Sequence, residues 1–330
     1  MMNDNRMYSN DLKHTPERYE LRPQAQEFPM MCVVSLVYVC NAKCPACPYT
    51  ISDIRDKYRD SLFMSTETFK KIADQCGKYG AYIQLTGGGE PMLHPQAVEL
   101  MEYAKSLGAK IGLITNGSKF TEEDSTRLLK SQVDMIEFSV DASDAETYAQ
   151  ARAGLDWEQL LVNVDRLVKL RNKLNCKTKI IASAVNQQGI DIYKEEEFWK
   201  TRVDHVQLRK FLTWGMGDEL KSADAEPYLP PEENIPCPWL FERLNIDTRG
   251  QVGLCGYDIA FDTNLGNVHE QSIKEIWLGK DFTTYRNLHL SGKADRIEIC
   301  RNCADRKYRS WTYNYWEIVK TAEKNKKSDL

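Results

Sequence analysis

Between Met31 and Arg209 short apolar runs alternate with amphipathic stretches, and this alternation limits the fold more than any other feature. The apolar runs Met31–Val39, Tyr82–Thr86, Lys110–Ile114, Met135–Val140, Lys179–Ala184 and His205–Arg209 read as strands. The stretches Thr66–Lys78, Pro95–Leu107, Glu122–Lys130, Asp156–Leu174 and Lys194–Trp199 read as helices. The fourth shows the period clearly: Trp157, Leu160, Leu161, Val164, Leu167 and Val168 fall on one helical face. Repeated βα units predict an α/β fold with a parallel sheet curling toward a barrel. In such barrels the chemistry gathers at the C-terminal ends of the strands. Residues 40–47 and 87–91, with Asn116, Asp141 and Arg209, all sit at or just past predicted strand ends, which places them at one shared site.

The loop after the first strand reads Val39-Cys-Asn-Ala-Lys-Cys-Pro-Ala-Cys-Pro48. Three residues separate Cys40 from Cys44, and two separate Cys44 from Cys47. One loop with this spacing can fold three soft thiolates onto a single metal centre. A cubane iron–sulfur cluster held by three cysteines keeps one iron open to an outside ligand. A structural zinc site prefers four ligands in two short pairs. A redox dithiol leaves the third cysteine without a purpose.

The cysteine loop is followed, about forty residues on, by a second strand running into Gly87-Gly-Gly-Glu-Pro91. In this combination the chain resembles the radical S-adenosylmethionine (SAM) superfamily, over about residues 31–210. The resemblance implies a partial (β/α)6 TIM-like barrel, a SAM-binding [4Fe–4S] cluster on Cys40, Cys44 and Cys47, and SAM on the open iron. It also implies reductive cleavage of SAM to a 5′-deoxyadenosyl radical, fed by an external one-electron reductant such as flavodoxin or ferredoxin. Gly87, Gly88, Gly89 and Glu90 match the segment that holds the methionine amino group, where absent side chains let a ligand approach the backbone. The position before the third cysteine is usually aromatic in the family; here it is Ala46, and Tyr49 is the substitute for covering the adenine. Asn116 falls where the family meets its ligand, or it shapes an Asn-Gly turn. Ser139 and Asp141 alternate on one strand and face the barrel interior, where a hydroxyl and a carboxylate suit ribose and ammonium groups. Asp141 reads equally as the cap of a helix starting near Asp144. Arg152 matches the family's frequent Arg-x-Gly and is placed against the methionine carboxylate, or it is a surface arginine. His94, ahead of Pro95, reads as a structural cap.

After Arg209 the alternation stops. Residues 224–233, rich in proline and acid, read as a linker. The expected organisation is an N-terminal extension at 1–30, a barrel at 31–223, the linker, and a small α+β domain at 234–330. This last part carries Cys237, Cys255, Cys300 and Cys303, with a β-hairpin expected around Thr248-Arg-Gly250. It resembles the SPASM/twitch extension of radical SAM enzymes, which implies one auxiliary [4Fe–4S] cluster on these four cysteines. Zinc is the alternative for four thiolates. Cys32, Cys76 and Cys176 remain; buried small hydrophobes are the ordinary reading, and a hydrogen-atom donor is the other.

The chain has 330 residues and a formal net charge of −4, which does not fit a nucleic-acid binder. Its N-terminus has no apolar signal segment and no stretch reaches membrane-span length, so a reducing cytoplasm is expected. Ten cysteines then point to metal ligation rather than disulfides. The expected activity is redox modification of a small polar substrate, namely dehydrogenation of a sugar or aminocyclitol hydroxyl with the auxiliary cluster as electron acceptor. Sugar epimerisation is the alternative and needs a thiol donor. Peptide maturation is a further one, set against the short extension at 1–30. A zinc-stabilised binding protein leaves Gly87–Pro91 without a purpose. Arg209 is the catalytic candidate: on an inward-facing strand position it meets the substrate's oxygens, or it pairs with an acid at the barrel mouth such as Asp218 or Glu219.

Overall fold

The computed structural model describes residues 25–50, 52–187, 189–210, 236–301 and 303. The barrel half runs β1 Met31–Val34, α1 Ser52–Lys57, α2 Thr66–Tyr79, β2 Tyr82–Leu85, α3 Ala97–Ser106, β3 Lys110–Thr115, α4 Glu122–Lys130, β4 Met135–Ser139, α5 Ala145–Ala151, α6 Trp157–Lys173, β5 Lys179–Asn186, α7 Ile192–Trp199 and β6 His205–Lys210. The C-terminal part adds α8 Trp239–Glu242, β7 Arg243–Ile246, β8 Gln251–Gly253, β9 Gly266–Asn267, α9 Ile273–Leu278, α10 Lys280–Leu290 and α11 Glu298–Arg301. Among the described residues one sheet has the order β6-β5-β4-β3-β2-β1-β7-β8-β9. Strands β1 to β6 are parallel, as the βα alternation requires.

Helix starts follow local chemistry. Ser65, Thr121, Asp144, Asp156 and Asp191 each cap a helix with a side-chain oxygen on an early backbone N–H. Asp144 therefore caps α5, and Asp141 does not. The apolar faces of α2, α3, α4 and α6 pack on the outer sheet surface against Val34, Ile83, Leu113 and Phe138. Inside the barrel, Met31, Tyr82, Met135 and Ile181 form a separate apolar floor.

Several boundaries differ from expectation. Strand β1 stops at Val34 rather than Val39, because residues beyond it leave the sheet: Val37 bridges Phe63, and Tyr38 N–H donates to Leu62 O at 2.8 Å. That departure lifts the cysteine loop off the sheet. Strand β4 ends at Ser139, not Val140, since Asp141 takes a left-handed φ of 49°. Helix α1 lies in a segment expected as loop, and α5 begins where the capping alternative for Asp141 put a helix, near Asp144. The C-terminal part also does more than follow the barrel. Its hairpin β7–β8 forms as expected, but β7 pairs in parallel with β1 and so covers an otherwise open sheet edge. Residues 25–30 are clamped beneath it: Trp277 Nε1 donates to Ala25 O at 2.7 Å, and Phe28 stacks on Tyr79. Residues 1–24 and 224–233, with Asp218 and Glu219, lie outside the described residues.

Candidate active site

The thiol loop is tied down at several points. Lys43 N–H donates to Ala153 O at 2.8 Å, Asn41 Nδ2 to Ser118 Oγ at 2.8 Å, and Asn116 Nδ2 to Asn41 Oδ1 at 3.0 Å. Asn116 thus holds the loop to the top of β3. Burial pushes the Cys47 thiol up to about 11, and negative charge on Cys44 and Cys40 pushes the same way. Thiolates brought this close together would suit a cationic iron centre.

Residues 87–90 follow β2. Gly87 has a φ of 115°, and a Cβ there would stand 2.2 Å from Ser35 Oγ; a Cβ on Gly89 would stand 2.0 Å from Val39 O. These glycines are required first by the chain's own packing against the segment entering the thiol loop, not only by a ligand. Glu90 is buried and turned inward to its own chain. Its carboxylate accepts from Thr115 Oγ1 at 2.7 Å, Asn116 N at 2.7 Å and Met92 N at 3.1 Å. Burial pushes its pKa up, and these donors oppose the rise. These bonds pin two strand tops together beside the glycine turn.

Asp141 and Arg152 form an ion pair at 2.5 Å, and Asp141 also accepts from Val185 N at 2.7 Å. Arg152 stands 3.6 Å from Cys44 Sγ, so it is no surface arginine. Its charge is matched by Asp141 before any ligand arrives, while its Nε has no hydrogen-bond partner among the described residues. Ser139 ends β4 half-buried, and it is not among the residues that line the cavity. His94 is structural as expected: Nε2 donates to Met64 O at 2.8 Å and Nδ1 accepts from Gln96 N at 3.1 Å.

The second thiol set is drawn from four places. Cys237 precedes α8 and its N–H donates to His289 Nδ1 on α10 at 3.1 Å. Cys255 follows β8, Cys300 lies on α11, and Cys303 N–H donates to Cys300 O at 3.3 Å. Buried Arg286 braces this region, donating from Nε to Leu240 O and from Nη1 to Trp277 O, both at 2.8 Å. Burial pushes the Cys255 thiol up, and charge on Cys300, Cys237 and Cys303 adds to the effect. Among the described residues no three His, Cys, Asp or Glu side chains close onto a single metal ion.

A cavity of about 280 Å³ connects the two sets, lined by Cys44 and Cys47 at one side and Cys255 at the other. Gly87, Asp141, Arg152, Ala46 and Tyr49 also line it. Arg209 points into it from β6 and pairs with Glu137 Oε1 at 2.5 Å. The inward arginine does need a partner, but the partner is Glu137 on β4. Glu137 was legible in hindsight: in Met-Ile-Glu-Phe-Ser it shares a face with Ser139. Gln84 and Asn245 line the cavity too and were missed, though each sits at the inward period-two position of its strand. Cys32 and Cys76 face the helix layer with their sulfurs 3.6 Å apart, and neither they nor Cys176 line the cavity.

A partial parallel barrel with a three-thiol loop at its mouth and a glycine-rich turn beside it defines a radical SAM enzyme. Residues 34–182 match the radical SAM superfamily model, and residues 237–304 match the SPASM model, an iron–sulfur cluster-binding domain. The chain belongs to the radical SAM superfamily and carries a C-terminal SPASM domain. A SAM-binding [4Fe–4S] cluster and auxiliary iron–sulfur chemistry come with these two domains. The chain is similar to the PqqA peptide cyclase of Xanthomonas euvesicatoria pv. vesicatoria (strain 85-10), 23% identical over 84% of this chain and 81% of that one. Two solved structures share the fold. BtrN in complex with AdoMet and 2-DOIA has a TM-score of 0.56 at 19% identity, covering 83% of this chain and 92% of BtrN. Streptococcus suis SuiB bound to precursor peptide SuiA has a TM-score of 0.65 at 14% identity, covering 79% and 67%. No helix of the described residues is long and apolar enough to cross a membrane.

Proposed function

We propose that this enzyme dehydrogenates a hydroxyl-bearing carbon of a small polar substrate, a sugar or aminocyclitol, with Cys237, Cys255, Cys300 and Cys303 holding one auxiliary cluster. The carrying observation is that a single cavity is lined by thiols of both sets. When bound, SAM and the two clusters supply hydrogen-atom abstraction and an acceptor for the second electron. Cys40, Cys44 and Cys47 hold the first cluster. Arg152, fixed by Asp141, is placed to meet the methionine carboxylate of SAM through its remaining N–H groups. The turn at 87–89 and Asn116 shape the rest of the SAM cradle. Arg209, oriented by Glu137, presents its guanidinium to the substrate oxygen and stabilises negative charge as the hydroxyl proton leaves.

The same cavity weakens epimerisation, because the three cysteines outside the two sets do not reach it. Peptide modification is the second reading, favoured by the named activity of the relatives. Anaerobically reconstituted protein should contain about eight irons. Incubated with SAM, a reductant and a panel of polyols and peptides, it should yield a product lighter by two hydrogens from a polyol. Cys300→Ala should keep SAM cleavage and lose that product. A cross-linked peptide product from the wild type sinks the proposal in favour of the second reading.

A further inference from the structure

Just above the barrel floor, two amide side chains face the cavity with polar atoms that have no partner among the described residues. Val33 on β1 is level with Gln84 of β2 on one side and with Asn245 of β7 on the other. Residues level across parallel strands point to the same face, and all three line the cavity. Gln84 is 2% exposed and Asn245 4%. Gln84 Oε1 and Nε2 and Asn245 Oδ1 have no hydrogen-bond partner among the described residues. Three buried polar atoms left open at one level cost more than apolar residues of the same shape.

Packing does not account for them. The residue beside Gln84 on β3 is Gly112, where a Cβ would stand 2.3 Å from Tyr82 Oη and 2.8 Å from Gln84 Oε1. A glycine therefore leaves room for both the Tyr82 ring and the amide. Below it the floor is made of Met31, Met135, Ile181 and the Tyr82 ring, with Arg243 of β7 level with Met31, and the open side of the two amides is the cavity.

We infer that Gln84 and Asn245 anchor the substrate by neutral hydroxyl groups remote from the carbon that reacts. The inference rests on the dehydrogenase reading and adds the residues that orient its substrate. Two open carbonyl oxygens require donors, and the open amide nitrogen of Gln84, with two N–H groups, requires acceptors. Hydroxyls supply both. A cation at this level would meet amide dipoles and the guanidinium of Arg243 two residues along β7, at a large desolvation cost. Arg152 and Arg209 are already matched by Asp141 and Glu137. Because β7 belongs to the SPASM region, the substrate would be gripped by both parts of the chain.

The test uses cluster-loaded protein without substrate, carrying Gln84→Met or Asn245→Leu. Each variant should melt about 2 °C or more above wild type, since an unpaired buried group has been removed. SAM cleavage without substrate should be unchanged. Saturation transfer from protein to glucosamine, present in the wild type, should fall at least about tenfold in both variants. A lower melting temperature in both variants shows that the amides were already bonded and overturns the anchor. Undiminished transfer to glucosamine in both does the same. Transfer to N-acetyl-dialanine amide but not to glucosamine, or to neither probe, overturns the hydroxyl class. Failure of the dehydrogenase reading looks different: glucosamine is held through Gln84, yet no polyol yields a product lighter by two hydrogens.

Discussion

The two ends of the cavity are built on opposite terms. At its mouth the polar groups bond mainly to one another: Glu90 takes three donors, Asp141 takes Arg152 and Val185, and Asn116 ties down Asn41. At its floor Gln84 and Asn245 keep polar atoms open. The mouth must keep one shape for a cofactor present in every turnover, and internal bonds supply that rigidity. The floor meets a ligand that comes and goes, so its bonds are completed only on binding. Arg209 lies between the two regimes, paired with Glu137 and yet facing the cavity.

The largest effect should come from disrupting the mouth. Glu90→Ala leaves Thr115 Oγ1 and the N–H groups of Asn116 and Met92 without their acceptor. We expect a loss of about 3 kcal/mol or more of stability, at roughly 1–3 kcal/mol for each buried group left unmet. Cluster retention and SAM cleavage should fall with it. Denaturant unfolding and iron content check this, and near-wild-type values in both would mean that the mouth is not held by Glu90.

Arg209→Gln acts between the ends. Iron content and substrate-free SAM cleavage should stay as in the wild type, while substrate turnover drops about a hundredfold, the typical cost of losing one preorganised donor. Wild-type turnover would remove Arg209 from the active site.

The smallest effect on activity sharpens the contrast by using a group that is open but outside the cavity. Glu195 on α7 is 1% exposed, and neither carboxylate oxygen has a hydrogen-bond partner among the described residues. Burial, with the nearby negative charge of Asp141, pushes its pKa up to about 9. The unfolded chain ionises near 4.3. The folded state therefore holds a proton that the unfolded state has released between these values. Stability is fully present below about 4.3 and declines up to pH 9, by at most about 1.4 kcal/mol per pH unit. Glu195→Gln should flatten this slope, so its stability gain over wild type grows from pH 5.5 to 8.5 in urea titrations. SAM cleavage and turnover at pH 7 should not change. A gain that is the same at both pH values would show that Glu195 does not hold this proton.

Much of the fold was legible because strand and helix periods are local. The order of the first six strands and the run of α6 can be named from residue spacing. The spacing between Cys40 and Cys47, joined to Gly87–Pro91, carries the chemistry within short stretches of chain. What local pattern cannot supply is the partner. That Arg209 meets Glu137 depends on β4 and β6 both bordering β5, a pairing decided by sheet order. That β7 joins β1, and so brings Asn245 level with Gln84, depends on which edge of the barrel stays open. Burial settled the rest. The same carboxylate chemistry makes Glu90 a bolt between strand tops and leaves Glu195 an open buried acid, because only the folded chain determines which donors lie within reach.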